Sequence, residues 1–314
     1  MIIRQSAFTG ENEKLLKGGL HCHTTRSDGK VEPGDCIRLH AANGYDFLAL
    51  TDHRYYNYTN FAPETDVLII PGMEMDGSLK KLPGMCFHTV SLGPDDDTNG
   101  FKQDDKFDSA RVTNQYEYQP VIDMLKAKNN LVFYCHPDWS CTPARVFENL
   151  KGCFAMEIWN SGCVIETGTD IDNGIIWDEL LVSGKKINCV AVDDGHQPEH
   201  HCKGWVRVNA QKNVSSILNA LENGAYYSSC GPEIYDFYIE DGVAHVKCSP
   251  CSMIHFINGV RPTRLNKAQD SLLTEASIPI APSWNFVRVV VEDEQGRRAW
   301  SNPLYLERSG EWKE

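Results

Sequence analysis

Residues 19–29 read GLHCHTTRSDG, a short apolar run that carries two histidines two positions apart and then breaks into a polar Ser-Asp-Gly turn. On a strand, His21 and His23 project from one face while Cys22 points to the other. The same texture, an apolar run closed by an ionisable side chain, recurs as far as residue 196. His53 ends FLALTDH, Glu74 ends LIIPGMEM, His88 lies in CFHTVSLG, His136 ends LVFYCHP, and Asp194 with His196 end INCVAVDDGH. Strands are expected over 19–23, 45–51, 67–75, 86–92, 131–136, 154–159 and 187–192. Helical stretches fall between them at 33–43, 120–129, 143–150, 174–183 and 214–223. Thr142 before Pro143 reads as a helix N-cap, and Gly44, Gly184 and Gly224 follow the last periodic residues of their helices. Strands alternating with helices predict an α/β fold of repeated βα units around a parallel sheet or barrel.

Outward from this rhythm, residues 93–118 (GPDDDTNGFKQDDKFD and onward) are polar and aperiodic, which predicts a long surface loop of the kind that often serves as a lid. After Gly231-Pro232 the pattern changes to alternating strands and turns, so a barrel domain over 1–232 and a small β-sandwich-like domain over 233–314 are expected.

With 30 Lys and Arg against 43 Asp and Glu, the 314-residue chain carries a formal charge of −13. That balance opposes capture of long nucleic acid, which needs basic groups to neutralise phosphates. Hydrophobic residues at 41% suffice for a substantial core and exclude a disordered chain. The sequence has no apolar run of bilayer length and no signal-like N-terminus, so no membrane partner and a cytoplasmic location are expected. Twelve scattered cysteines in such a chain read as reduced, mostly buried thiols, and Cys248 and Cys251 as two ordinary thiols flanking a turn. His200 and His201 are expected in a solvent-exposed loop, and His40 in a structural role.

In a parallel arrangement, His21, His23, Asp28, His53, Glu74, His88, His136, Asp194 and His196 converge at one end of the strands, where barrel enzymes place their chemistry. So many ionisable groups are costly to gather without cations, because carboxylates repel and buried charge must be paired or coordinated.

The motifs HCHTTRSDG, TDH, GMEM, FHTVSLG, YCHPDW, EIWNSG and DDGH occur in the order found in the PHP (polymerase and histidinol phosphatase) superfamily. The sequence resembles its stand-alone metal-dependent phosphoesterases and carbaryl-hydrolase-like metallohydrolases. The resemblance implies a distorted (β/α)7 barrel with a C-terminal all-β appendage. It also implies three adjacent metal sites: one of His21, His23, Glu74 and Asp194, a second of Glu74, His88 and His136, and a third of Asp28, His53 and His196, with Glu74 bridging two ions. Mn2+, Fe2+ and Zn2+ all suit mixed imidazole and carboxylate ligands, and the ligand types do not choose among them.

Three divalent ions outweigh three carboxylates by about three charges, so a small anionic substrate is the expected guest. A water shared by two ions would lose a proton near neutral pH and attack a phosphoester. Asp52 and Asp193 are candidates for the leaving-group acid. Arg26, Arg54, Arg145 and Lys203 are candidates for holding the substrate's anion, and the resemblance adds Glu157 and Asn160 as site-lining residues. The same metals would also serve a carboxyl-ester, amide or carbamate hydrolase. A reading from another class is a metal-binding scaffold without turnover, its β appendage acting as a binding module.

Overall fold

In a computed structural model, which describes residues 5–8, 15–82, 84–260 and 263–306, the chain is a mixed α/β protein with several sheets and few helices. Strand β1 (Leu16–Gly19) pairs in parallel with β2 (Phe47–Leu48), and β2 with β3 (Leu68–Ile69). A second sheet holds β4 (Gly72–Leu79), β5 (Cys86–Leu92), β6 (Ala110–Val112), β7 (Leu131–Tyr134), β8 (Cys153–Asn160) and β9 (Asn188–Val192), in the order β9-β8-β7-β5-β4-β6. The regular βα alternation expected from sequence is broken here, because β5 runs antiparallel to both β4 and β7. Only residues 80–85 separate β4 from β5, a hairpin connection too short for the crossover that parallel pairing needs.

The two sheets meet just beyond the strand ends. Thr51 N donates to Cys22 O (2.9 Å), Glu74 N to Thr51 O (3.1 Å), Asp194 N to His21 O (2.9 Å) and His23 N to Gly195 O (3.1 Å). These bonds tie β9 to β1 and β2 to β4, around a core that includes Leu20, Phe47, Ile70, Val90, Phe133 and Val190. β8 is buried along almost its whole length, as a strand covered on both faces must be.

Helices α1 (Pro33–Ala42), α2 (Gln119–Lys126), α3 (Ala144–Phe147), α5 (Gly174–Val182) and α6 (Val214–Glu222) fall in the expected stretches, whereas α4 (Ser161–Thr167) is additional. Gly44, Gly184 and Gly224 have φ of +73°, +92° and +73°, the left-handed geometry that lets a helix end. The Thr142 cap is corrected: Pro143 is the N-cap residue of α3, and the Thr142 hydroxyl donates to Pro137 O instead.

Residues 93–118 are also more structured than expected. They include β6 and a 3-10 turn over Gln115–Tyr118, bury Phe101, and bond back to the 54–59 segment through Tyr56 N to Asp105 O (2.9 Å) and Phe107 N to Arg54 O (3.0 Å).

Beyond α5, β10 (Trp205–Val208) and β11 (Tyr226–Ser229) extend the first sheet in antiparallel fashion. β12 (Ile234–Glu240), β13 (Val243–Cys251), β14 (Met253–Ile257), β15 (Arg264–Lys267), β16 (Leu273–Pro279), β17 (Phe286–Glu292) and β18 (Arg298–Ser301) follow. Since β18 pairs with β11, one sheet runs continuously from the N-terminal strands to the C-terminal ones. Arg288 on β17 is buried against Asp178 of α5 (2.6 Å) with its guanidinium 4.4 Å from the Trp177 ring centre. Cys248 and Cys251 flank a bulge inside β13 rather than a turn. All twelve cysteines are free thiols, and among the described residues no helix is long and apolar enough to cross a membrane.

Candidate metal centre

The strand ends deliver their ionisable groups into one buried cluster. His21 and His23, on the continuation of β1, have ring centres 5.1 Å apart and Nε2 atoms 3.1 Å apart. Both Nε2 atoms face the same two carboxylates: Glu74 Oε2 at 3.4 and 3.2 Å, and Asp194 Oδ1 at 3.2 and 3.0 Å. Glu74 sits on β4 with its oxygens turned to different partners. Oε1 lies 2.9 Å from His88 Nδ1 and 3.5 Å from His136 Nε2, while Oε2 lies 3.0 Å from His53 Nδ1. At the open edge, Asp28 approaches His196 Nε2 (3.4 Å), His23 Nδ1 (3.7 Å) and His53 Nε2 (3.8 Å). Donor atoms of His21, His23, Glu74 and Asp194 come within 4.8 Å of one another, as do those of His23, Asp28, His53 and His196, and those of His53, Glu74 and His88.

Local backbone geometry aims these groups. Arg54 (φ 61°), His136 (φ 26°) and Asp194 (φ 49°) adopt left-handed conformations at successive strand ends, a costly geometry for residues with side chains that surrounding structure must enforce. Gly162 lets α4 close over the cluster, since a Cβ there would lie 2.7 Å from Asp194 O.

The cluster's electrostatics call for cations. Burial disfavours a charged His21, yet Asp194 and Glu74 outweigh it and hold its pKa well above the ordinary value. Burial likewise opposes ionisation of Glu74, and His53, His21 and His88 overcome it, pulling its carboxyl well below the usual range. His196 is raised to about 9, because its hydrogen bond to Asp28 and the Asp194 charge prevail over burial. In this arrangement protons balance the carboxylates. Even so, His53 Nδ1, Glu74 Oε2 and Asp194 Oδ1 are buried without a hydrogen-bond partner. Unpartnered buried polar atoms are expensive, and divalent ions ligated by imidazole and carboxylate would satisfy them. The residues present therefore fit a metal centre.

The chain matches no protein-family model and no curated protein. Among solved structures it is similar to a two-domain protein from Bacteroides vulgatus ATCC 8482 containing a predicted PHP-like metal-dependent phosphoesterase. Identity is 15%, with 96% of this chain and 92% of that chain covered and a TM-score of 0.48. It is also similar to an amidohydrolase from Chromobacterium violaceum with bound sulfate and no metal, at 14% identity over 58% of this chain and 88% of that chain, TM-score 0.42.

Several residues singled out from sequence lie around the cluster rather than open to it. Glu157 is fully buried: its oxygens accept from His21 Nδ1 (2.7 Å), His136 N (2.8 Å) and Asn160 Nδ2 (2.8 Å). Asn160 also donates to Asp194 Oδ2 (3.0 Å), and its Oδ1 accepts from Cys163 N to cap α4. Both residues orient members of the cluster. Asp52 accepts bonds from the backbone N–H and hydroxyl groups of Thr24 and Ser27, so it shapes the turn that presents Asp28. Asp193 accepts from the N–H groups of Cys202, Lys203 and Gly204 and so holds the loop after Asp194.

The basic candidates are engaged elsewhere or exposed. Arg26 pairs with Asp104 and donates to Asn57 (2.9 Å), and Arg54 pairs with Asp76 (3.1 Å). Arg145 on α3 and Lys203 are exposed. His200 and His201 are buried, contrary to expectation, because Ser161 of α4 bonds to His200 O and the His201 ring packs over Gly195.

Three contributors escaped the sequence reading. Asp76 Oδ1, paired with Arg54 Nη1 at 3.1 Å, also lies 3.6 Å from His53 Nδ1. Its i, i+2 relation to Glu74 on β4 was the available signal. Trp139 and Glu166 line a cavity of about 230 Å³ over the cluster, with Asp28, His88, His136 and His196. Nothing in the spacing of the sequence marks them, because α4 and the 137–142 turn reach the site only through tertiary packing.

Proposed function

We propose that the chain is a metal-dependent hydrolase acting on a small phosphoester at a trinuclear centre, within a distorted seven-stranded barrel closed by the bonds between strand ends. The observation that carries this reading is the convergence of nine imidazole and carboxylate side chains with unpartnered donor atoms buried between them. His21, His23, Glu74 and Asp194 would hold one ion, Glu74, His88 and His136 a second, and Asp28, His53 and His196 a third, with His23 Nδ1 facing this last group. Ions bound there supply Lewis acidity, polarising the substrate and lowering the pKa of water.

The chain's own residues provide the rest. Glu157 fixes the His21 tautomer by accepting from Nδ1, which leaves Nε2 free toward the cluster. Asn160 orients Asp194, and Glu74 offers one oxygen to each of two neighbouring groups. Trp139, its ring centre 5.0 Å from that of His136 and 6.1 Å from that of His88, forms one wall against which a flat leaving group can stack.

Cleavage of a carboxyl ester, amide or carbamate is the second reading. It is favoured by the lining of the cavity, where Glu166 faces the substrate space while Arg26 and Arg54 are tied to Asp104 and Asp76. A neutral acyl substrate tolerates such a wall better than a dianion does.

The test is turnover by Mn2+-loaded protein on chromogenic phosphomonoesters, phosphodiesters and carboxyl esters, alongside His21→Ala and Glu74→Ala. Phosphoester turnover lost in both variants is the expected result. Ester-only turnover moves the assignment to the second reading. Stoichiometric metal without turnover on the whole panel leaves a scaffold and overturns both.

A further inference from the structure

Behind the cluster, on the opposite face of the strand that carries His21 and His23, lies a second group of donors. Cys22 points away from the two histidines, and its Sγ lies 3.7 Å from Cys36 Sγ on α1. One turn along the helix, His40 Nδ1 is 3.7 Å from the same sulfur. The ring of His201 completes the group: donor atoms of Cys36, His40 and His201 lie within 4.8 Å of one another, and all three residues are buried. Both ring nitrogens of His201 are buried without a hydrogen-bond partner, although the residue is only 4% exposed. A buried imidazole with neither nitrogen satisfied needs an explanation.

We propose that Cys22, Cys36, His40 and His201 form a structural site for one soft divalent ion, Zn2+ by chemical class, separate from the imidazole and carboxylate centre. Tetrahedral zinc with Zn–S of about 2.3 Å and Zn–N of about 2.0–2.1 Å sets ligand-to-ligand edges of roughly 3.8 Å between two sulfurs and 3.6 Å between sulfur and nitrogen. The observed 3.7 Å separations match both edges. Two thiolates neutralise the ion, so the buried site carries no net charge.

Binding releases the two thiol protons to solvent. His40 Nδ1 now donates to Cys36 O (2.8 Å). As a ligand it releases that carbonyl, and the ring proton moves to Nε2, which faces Asp193 Oδ2 at 3.4 Å. A carboxylate behind a ligating histidine is the usual way its tautomer is fixed.

The location gives the site a role. Cys22 stands between His21 and His23, and the His201 ring packs on Gly195, between Asp194 and His196. Cys22 and Gly195 form the bridge that joins β1 to β9. An ion behind this bridge would clamp the two strand ends that carry four of the nine front ligands.

The test is cobalt substitution in the full chain after chelator treatment. The proposed front ligands are nitrogen and oxygen, but the Cys135 thiol lies beside His21 and Glu157, so a thiolate-to-cobalt charge-transfer band in the near ultraviolet reports the rear site when it is lost in Cys36→Ser and kept in Cys135→Ser. One equivalent of Co2+ should give this band in the wild type and in Glu74→Gln/His88→Ala, where the front centre is disabled. Cys36→Ser should lose about half the band or more. His201→Gln, which keeps both thiols, should weaken Co2+ binding at the rear site at least about tenfold. Cys248→Ser should leave the band unchanged. No band in the wild type, a band that survives Cys36→Ser and His201→Gln intact, or a band lost in Cys135→Ser or Cys248→Ser overturns the proposal. Should Cys36→Ser fail to fold, His201→Gln and the wild-type titration decide it. None of these readouts depends on turnover, so the hydrolase reading stands or falls separately.

Discussion

His21 and His23 face a cluster of carboxylates and imidazoles, whereas Cys22, the residue between them, faces the Cys36 thiol, which is grouped with the imidazoles of His40 and His201. The front group opens to a cavity through Asp28, whose side chain is 56% exposed, and the rear group is buried. Hard oxygen donors and an open edge suit ions that must also meet a substrate. Sulfur donors in a closed pocket suit an ion that only holds structure. The difference shows that strand alternation sorts donors by chemistry as well as by polarity: one residue of phase separates a nitrogen and oxygen cluster from a sulfur and nitrogen one.

Glu74→Gln breaks the comparison most strongly. The side chain keeps its volume but loses the charge that faces His53, His88 and the His21/His23 pair, so turnover should fall on the order of 10³-fold, the scale of losing several kcal/mol of Lewis-acid stabilisation. Steady-state assays at saturating Mn2+ check this, and the thiolate band should be unaffected. An equal loss at both sites would mean that they are one system. A smaller effect is expected from Glu157→Gln, which keeps the shape but weakens the acceptor for His21 Nδ1. Metal affinity at the front centre should drop roughly 10–100-fold, the range for removing a partner behind a ligating histidine. Isothermal titration of Mn2+ measures it, and kcat at saturating metal should largely return.

Much of the front cluster is legible in sequence because five of its nine side chains close an apolar run, so a correct strand assignment places them. His21, His53, Glu74, His136 and Asp194 are all fixed by this rule. The antiparallel turn of β5 is not, since the apolar pattern of 86–92 is the same in either direction and only the short 80–85 connection betrays it. Glu157 and Asn160 could be placed near the site but not in their roles, because which neighbour a buried carboxylate accepts from depends on packing between β7, β8 and α4. Arg26 and Arg54 misled for a related reason: a basic residue beside a motif reads as a substrate contact until its partner, here Asp104 or Asp76, is seen. The rear group was hidden by distance along the chain, with two donors on α1 and the last at position 201, in a loop whose polar composition suggests exposure.

Gly195 tests whether the two groups are mechanically joined. It lies in the bridge to Cys22, and a Cβ there would sit 2.4 Å from His201 Cε1 and Nδ1, closer than any real contact. In Gly195→Ala the His201 ring must move off the strand or the strand must move toward the front. Overpacking of this kind costs about 1–3 kcal/mol. The melting temperature should therefore drop by a few degrees in differential scanning calorimetry. If the rear ion clamps the front ligands, the thiolate band and the turnover number should both decline in this one variant, although the new methyl adds no charge and removes no ligand. A displaced His201 with undiminished turnover would show instead that the strand ends hold their geometry without the brace, and would reduce the rear group to a contributor to stability alone.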